Sequence, residues 1–475
     1  MEKDSMRFVF ALSVLSVATF AQAETTYLGL YMQGKKVGYA SYSSMPAHFS
    51  GKSAIKSTSR TVMDTSLLGT PMQIQMDSIS WSTASGTPLR MWSNTKSGGR
   101  SNQVDATFHS RTVDLIIQNG GAKTKKSLSI PHGGKVVDDP LTVVLQKGIK
   151  TGSTQTFFVL DPSTASFIKN DVKLTGLTTT QVRGQKVTAT LIEVADPRSN
   201  MKVFVGKKGQ LVRVEGPAGI EMLPVSMKVA LSKNSAYEPS TDLAFSTSIQ
   251  TDKPLEDPSH LTWLKLRIAG KNLSQIPNDT FQTVTKQKDS WVVEVHPIPL
   301  KSEPTCSIAK AGKQKPEWLK PSLNIPSDSI RFKTLAKSLM SSKSDLLGAT
   351  FAIQKYVYDV MKPNAGIGVL RDANEVLDSK EGVCRDYATL TVTLLRSAGI
   401  PARLASGLVN WDGTFYYHAW AEAWDGSKWI GVDSTTDQIQ LSAGHVKLGD
   451  GNVDTAFSFT FLERAKIDVL GSRKD

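Results

Sequence analysis

The hydrophobic pattern of this chain changes period once, and that change limits what it can fold into more than any other feature. From Glu24 to about Leu300, apolar residues fall in short runs bounded by Gly, Asn, Asp and Ser, the pattern of β-strands joined by tight turns. Tyr27 to Tyr31 and Val37 to Tyr42 flank Gln33-Gly34-Lys35, and Met201 to Val205 and Leu211 to Val214 flank Gly206-Lys207-Lys208-Gly209. Both read as hairpins. Further runs lie at Val113 to Gln118, Met222 to Leu231, Leu261 to Ile268 and Trp291 to His296. No amphipathic helix stands out there, which predicts a sandwich or barrel-like region, in one part or two. Pro304, Pro316, Pro321 and Pro326, with lysines among them, mark a linker over residues 301–326, where proline interrupts any long helix or central strand.

From Ser327 the period becomes helical. Phe332, Leu335, Ala336, Leu339 and Met340 form one face, with Ser327 read as N-cap; Ala349, Ile353, Tyr356, Val357 and Val360 form a second, ending before Pro363. A third helix is predicted from about Cys384 to Ala398, stopped by Gly399, and strands follow at Ala402 to Val409, Phe415 to Trp424 and Trp429 to Asp433. The expected class is therefore α+β: a β-rich region over 24–300, the linker 301–326, and a catalytic domain over 327–475.

Residues 1–23 read as a signal peptide. Lys3 and Arg7 precede the apolar run Phe8 to Phe20, which is too short to span a bilayer, and Ala21-Gln22-Ala23 matches a signal-peptidase site. The acidic Glu2 and Asp4 are unusual there; initiation at Met6 would remove them, and a retained membrane anchor is the competing reading. The expected location is periplasmic or secreted, with cleavage after Ala23. The formal net charge is +13, yet residues 327–475 carry 17 Lys+Arg against 18 Asp+Glu. The basic surplus lies in the N-terminal two thirds, which in an exported protein suits an anionic cell-envelope partner rather than nucleic acid. An ordinary solvated basic surface is the alternative.

Chemistry concentrates in the last third. Cys384 sits where a loop enters the third helix, and a thiol at a helix N-terminus faces unpaired backbone N–H groups that favour thiolate. Gly382 allows the backbone to turn and to approach a substrate closely. A nucleophile needs a base, and the base needs a group that holds its tautomer. His418 and Asp433 fit through strand register. If the turn at Asp425-Gly426 has two residues, His418 lies directly opposite Asp433; if the loop runs from Asp425 to Lys428, Asp433 faces Trp420, one diagonal step away. Both registers put His418 and Asp433 on one face. Trp420 shares that face and is read as packing and pocket wall, with a substrate-binding role assigned to it.

Two other readings of Cys384 compete: a disulfide with Cys306, the chain's other cysteine, and a zinc ligand. A disulfide gives no reason for His418 and Asp433 to share a face, and no Cys-x-x-Cys pair exists. Neither a metal nor a cofactor is implied, since no phosphate-binding glycine loop or ligand-spaced cluster is evident. His445 is given no catalytic role. Arg403 reads as a strand anchor paired with a carboxylate.

Four ordered blocks then carry a resemblance. Glu381-Gly382-Val383-Cys384-Arg385-Asp386-Tyr387-Ala388, Leu395-Arg396-Ser397-Ala398-Gly399-Ile400-Pro401-Ala402-Arg403, Phe415-Tyr416-Tyr417-His418-Ala419-Trp420-Ala421-Glu422 and Trp429-Ile430-Gly431-Val432-Asp433 resemble the transglutaminase-like core of the papain-type thiol superfamily, over about residues 327–450. Gly444-His445-Val446-Lys447-Leu448 looks like bacterial secreted members. Ser434 stands where many relatives carry proline. The resemblance implies Cys384 as nucleophile, His418 as general base and acid, Asp433 as orienting carboxylate, and a thioester intermediate formed from a peptide or protein amide. It leans to peptidase or amidase hydrolysis; crosslinking acyl transfer to an amine and a non-catalytic peptide- or envelope-binding module are the alternatives. The second oxyanion donor is unassigned.

Overall fold

The fold is that of a computed structural model, which describes residues 25–119, 122–147, 150–196, 199–235, 241–270, 276–298, 306–340, 345–456 and 465–474. The signal-peptide call falls outside these residues. The chain divides into two compact units: one runs to Ser246 and includes Gly366–Val369, and the other comprises Thr247–Ala365 and Leu370–Asp475. The boundary expected near residue 300 therefore lies inside the second unit.

The N-terminal unit is one 15-stranded sheet. Strands from Thr26–Met32 to Ala122–Ser129 pair in sequence order, as do those from Lys135–Val136 to Ile220–Val225. The two runs join where Thr26–Met32 pairs antiparallel with Ile220–Val225. Alternation governs burial. In Thr112–Asn119, Val113, Leu115 and Ile117 point inward, whereas Asp114, Ile116 and Gln118 face out, as a period of two requires. The Gln33-Gly34 turn has positive φ at both residues, the backbone a two-residue hairpin demands. The edge strand Ala122–Ser129 carries Lys123, Lys125 and Lys126, charges that discourage pairing with another chain.

The α+β class is corrected by this architecture. The chain is mostly β, with 52% strand and 20% helix, and the N-terminal strands are hydrogen-bonded into one continuous sheet rather than two. The physical reason is strand length. Lys52–Leu67, Thr70–Ser82 and Ser166–Val182 run for 16, 13 and 17 residues. They pass through Ser- and Thr-rich stretches that read as turn clusters, because a hydroxyl side chain on the solvent face leaves the backbone ladder intact. Helices there also escaped the sequence reading, among them Pro140–Lys147 and, within the run Met222 to Leu231 read as a strand, Met227–Ala230. Proline suits a first helical turn, and the Asp139 carboxylate accepts the N–H groups of Leu141 and Thr142.

In the second unit, Leu261–Ala269, Gln282–Lys286, Ser290–Val295 and Lys466–Lys474 form a four-stranded sheet. Leu261–Ala269 pairs with the C-terminal strand, a partner some 200 positions away that local pattern cannot reveal. Within the expected linker, Ile308–Gln314 is a short helix capped by the Ser307 hydroxyl, and Cys306 is buried. The site is built from α1 (Ile330–Met340), α2 (Leu346–Val360), α3 (Ala373–Ser379) and α4 (Cys384–Ser397). Four strands complete it: β1 (Ala402–Trp411), β2 (Thr414–Trp424), β3 (Trp429–Val432) and β4 (His445–Gly451). The sheet order is β4-β1-β2, with β3 on the far side of β2, all antiparallel. Ser327 is not the cap of α1. Its hydroxyl donates to the Leu319 carbonyl, and the helix begins three residues later.

Candidate active site

Helix α4 packs against β2, and every residue from Cys384 to Arg396 is buried. Its entry is held by charge. The Val383 N–H donates to Asp386 Oδ2 at 3.0 Å, satisfying one of the donors a helix start leaves open. Arg371 meets Asp386 Oδ1 at 3.3 Å with both side chains buried. Burial pushes the Asp386 carboxyl up, but the Arg371 and Arg385 guanidinium groups outweigh it and hold the group below its ordinary value. Gly382 stands directly on this pair: a Cβ there would meet Arg371 Nη2 and the Asp386 Cβ, each at 2.6 Å. Its lack of a side chain serves the ion pair beneath the cysteine.

The hairpin of β2 and β3 selects the longer of the two loops. Ala421 pairs with Val432 and Trp424 with Trp429; the Asp425 N–H donates to the Lys428 carbonyl at 3.0 Å, and Asp425 Oδ1 accepts from Ser427 and Lys428 N–H. Asp433, one residue past β3, reaches His418 across the diagonal. His418 Nε2 lies 2.7 Å from Asp433 Oδ2, and both side chains are buried. His418 pairs with Gly407 on β1, where any side chain would collide with the Val446 carbonyl of β4. Glycine thus allows β4 to run close behind the imidazole.

His418 Nδ1 is buried, and the Cys384 side chain is near enough to stabilise the ring's charge. Nε2 is the ring nitrogen engaged by Asp433. Burial lowers the His418 pKa, but Asp433 and then Cys384 overcome it, and the imidazole stays protonated well above its ordinary range. Burial likewise pushes Asp433 up, and the two histidines reverse this, holding it ionised far below the usual carboxylate range. Neither Cys306 nor Cys384 is in a disulfide. Cys306 instead packs against Gly426 and donates to the Ser307 carbonyl at 3.4 Å.

The loop after Asp433 is pinned from α2 and α4. Gln354 Nε2 donates to the carbonyls of Asp433 and Gln438, at 3.0 and 2.6 Å. The Ser434 hydroxyl shares a 2.7 Å hydrogen bond with Thr391, so the serine in place of proline has a partner of its own. Trp420 is 1% exposed. Its indole lies 6.2 Å from the His418 ring at 23° and makes an edge contact with His445 at 5.4 Å. Arg403 meets Glu422 at 2.7 Å and Asp450 at 2.8 Å, and lies over the Trp429 ring. Lys447, 1% exposed, joins Glu422 at 2.8 Å and also meets Asp279.

His445, given no catalytic role in the sequence reading, lies beside the pair. It is buried, and its Nε2 lies 3.4 Å from Asp433 Oδ2. Ligand atoms of His418, Asp433 and His445 fall within 4.8 Å of one another, a spacing that could hold a metal ion. The 2.7 Å separation of His418 and Asp433 is nonetheless that of a charge-assisted hydrogen bond, whose proton an ion would have to displace.

Residues 333–434 match the family model of the transglutaminase-like superfamily, so this segment is similar to a transglutaminase-like core. A Mycobacterium tuberculosis protein of uncharacterized function is 38% identical over 92 residues, covering 16% of this chain and 29% of that one. A Pseudomonas aeruginosa protein-glutamine gamma-glutamyltransferase is 31% identical over 96 residues, 18% of this chain and 14% of that one. The chain thus spans less than a third of either relative. A solved Cytophaga hutchinsonii structure aligns at 18% identity over 48% of this chain and 86% of its own, with a TM-score of 0.33. The family match supports a function of the cysteine-protease or transglutaminase type.

Proposed function

We propose that this protein is an exported cysteine enzyme that acts on amide bonds of a peptide or protein, with Cys384 as nucleophile, His418 as general base and acid, and Asp433 as the carboxylate that orients His418. One observation carries the reading: a buried imidazole engages a carboxylate through Nε2 at 2.7 Å, and its charge is also supported by the side chain of Cys384, at the start of a 14-residue helix. The Cys384 thiolate attacks the carbonyl carbon, and the tetrahedral oxyanion accepts a hydrogen bond from the Cys384 backbone N–H. As the C–N bond breaks, the His418 imidazolium gives its proton to the departing amine, leaving a thioester. Water then attacks the thioester while His418 takes a proton from it; the acid leaves and the thiolate–imidazolium pair is restored. Trp420 walls the imidazole from water.

Hydrolysis is the main reading. A second, acyl transfer to an amine in place of water, is favoured by the transferase name of the Pseudomonas relative. The basic N-terminal unit is assigned an anionic envelope surface, and the chain a periplasmic or secreted location. The test is iodoacetamide labelling of Cys384 across pH, followed by peptide mass spectrometry. Wild type should label well below the pH of an ordinary thiol, and His418→Ala should lose that advantage. Equal profiles would remove the imidazole from the chemistry.

A further inference from the structure

The second histidine at Asp433 has a definable task, which rests on the reading of Cys384, His418 and Asp433 given above. An ionised carboxylate has about four acceptor positions to fill, and burial makes an empty one costly. Asp433 Oδ1 accepts the Thr435 N–H at 2.9 Å and the Thr435 hydroxyl at 2.8 Å. Oδ2 faces His418 Nε2 at 2.7 Å and His445 Nε2 at 3.4 Å. His445 is therefore the fourth partner.

Which nitrogen of His445 carries a proton follows from its other edge. Nδ1 lies 3.3 Å from the Ser442 carbonyl oxygen and 3.5 Å from the Ser442 hydroxyl. That hydroxyl already accepts the Gly444 N–H at 3.3 Å, so its own proton is available to Nδ1. A ring protonated on Nδ1 alone would donate to the Ser442 carbonyl and turn its Nε2 lone pair on the Asp433 carboxylate, which is repulsive. A ring protonated on Nε2 alone donates to Asp433 and accepts from the Ser442 hydroxyl at 3.5 Å; its Nδ1 lone pair then faces the neutral Ser442 carbonyl at 3.3 Å, a weaker repulsion than a lone pair set against an ionised carboxylate. The ionisable groups that act on His445 are Asp433 and His418. With the charged His418 ring centred 5.8 Å away, a second cation is disfavoured, and the edge contact with Trp420 fixes the ring plane.

We propose that His445 is a positioning residue: a neutral Nε2–H donor that keeps Asp433 turned toward His418, so that the carboxylate sustains the imidazolium partner of Cys384. Without it Oδ2 loses one of its two partners, and the carboxylate is held on that side by His418 alone, with Thr435 still on Oδ1.

The test uses full-length protein, iodoacetamide as probe, and the variants His445→Leu, His445→Gln and His418→Ala. His445→Leu should slow Cys384 alkylation about tenfold below the pH of an ordinary thiol, equivalent to about 1.4 kcal/mol, and much less at alkaline pH. His445→Gln, which retains a side-chain N–H donor, should recover most of that loss. Nitrogen-15 NMR of the wild-type histidines should place the His445 proton on Nε2. A His445→Leu rate equal to wild type, a glutamine variant as slow as leucine, or a proton found on Nδ1 would each overturn the proposal. If the leucine variant fails to fold, the wild-type NMR result decides alone. Should His418→Ala alkylate like wild type, the reading of the triad itself fails; should His418→Ala be slow and His445→Leu normal, only the role of His445 falls.

Discussion

The two units hold their interiors by different means. The N-terminal sheet buries rows of aliphatic side chains on alternate positions and keeps its ion pairs outside; Arg60 with Asp77 and Lys169 with Asp171 are partly solvated. The unit bearing the candidate site buries charge itself: Arg371 with Asp386, Lys447 with Glu422, and Asp433 between two histidines. Surface pairs contribute little, whereas breaking a buried pair leaves an uncompensated ion. Stability in the first unit is therefore spread over many similar contacts, and in the second it is concentrated in a few that also orient reactive groups.

The largest effect that sharpens this contrast is chemical. Cys384→Ala should reduce amide turnover by about 10³-fold or more while hydrogen exchange in both units stays as in wild type; retained turnover would separate the activity from this site. Next, Arg371→Met should leave Asp386 with the longer Arg385 contact at 3.7 Å as its charge partner and destabilise the second unit by about 3 kcal/mol. Exchange protection in α4 should fall while that in the N-terminal sheet is unchanged, and an unaltered α4 would show that the pair is not a keystone. Third, in the strand Thr112–Asn119, Leu115→Ala should cost about 2–5 kcal/mol, whereas Ile116→Ser, on the solvent face, should cost about 0.5 kcal/mol or less. Equal costs measured by urea unfolding would break the period-two account.

The smallest effect tests a buried charge in the sheet unit. Burial pushes the Asp139 carboxyl up to about 6, against the pull of its cap hydrogen bonds. Because the folded state holds this proton more tightly than the unfolded chain, stability falls as pH rises from about 4 through about 6, and the penalty is complete at neutral pH. Asp139→Asn removes the charge and keeps one acceptor oxygen, for either the Leu141 N–H now on Oδ1 or the Thr142 N–H now on Oδ2. It should stabilise the unit by about 1 kcal/mol at pH 7 and flatten that slope; a destabilised variant with the slope intact would place the penalty elsewhere.

How much of this was legible in the sequence differs between the units for a physical reason. The Gln33-Gly34 turn and the alternation of Val113, Leu115 and Ile117 are local signals, and the structure has them. Strand length was hidden, because serine and threonine can end a strand or ride on its wet face. In the second unit, the shared face of His418 and Asp433 followed from parity, which either candidate loop preserved. His445 did not, since its approach depends on β4 returning beside β1, a pairing no local periodicity encodes. The place of Leu261–Ala269 in the second unit was hidden likewise, because its partner Lys466–Lys474 lies at the far end of the chain.

The loop from Asp425 to Lys428 has a consequence for how such a chain can vary in length. Removing or adding two residues there would slide the acidic side chain along the sheet yet leave it on the side of the imidazole. Gaining or losing one would carry it through to the opposite surface, unless a bulge absorbed the change. Where neither a bulge nor a longer loop absorbs the change, lineages that preserve the chemistry should carry even-numbered insertions and deletions at this point, a pattern that can be read from aligned lengths alone.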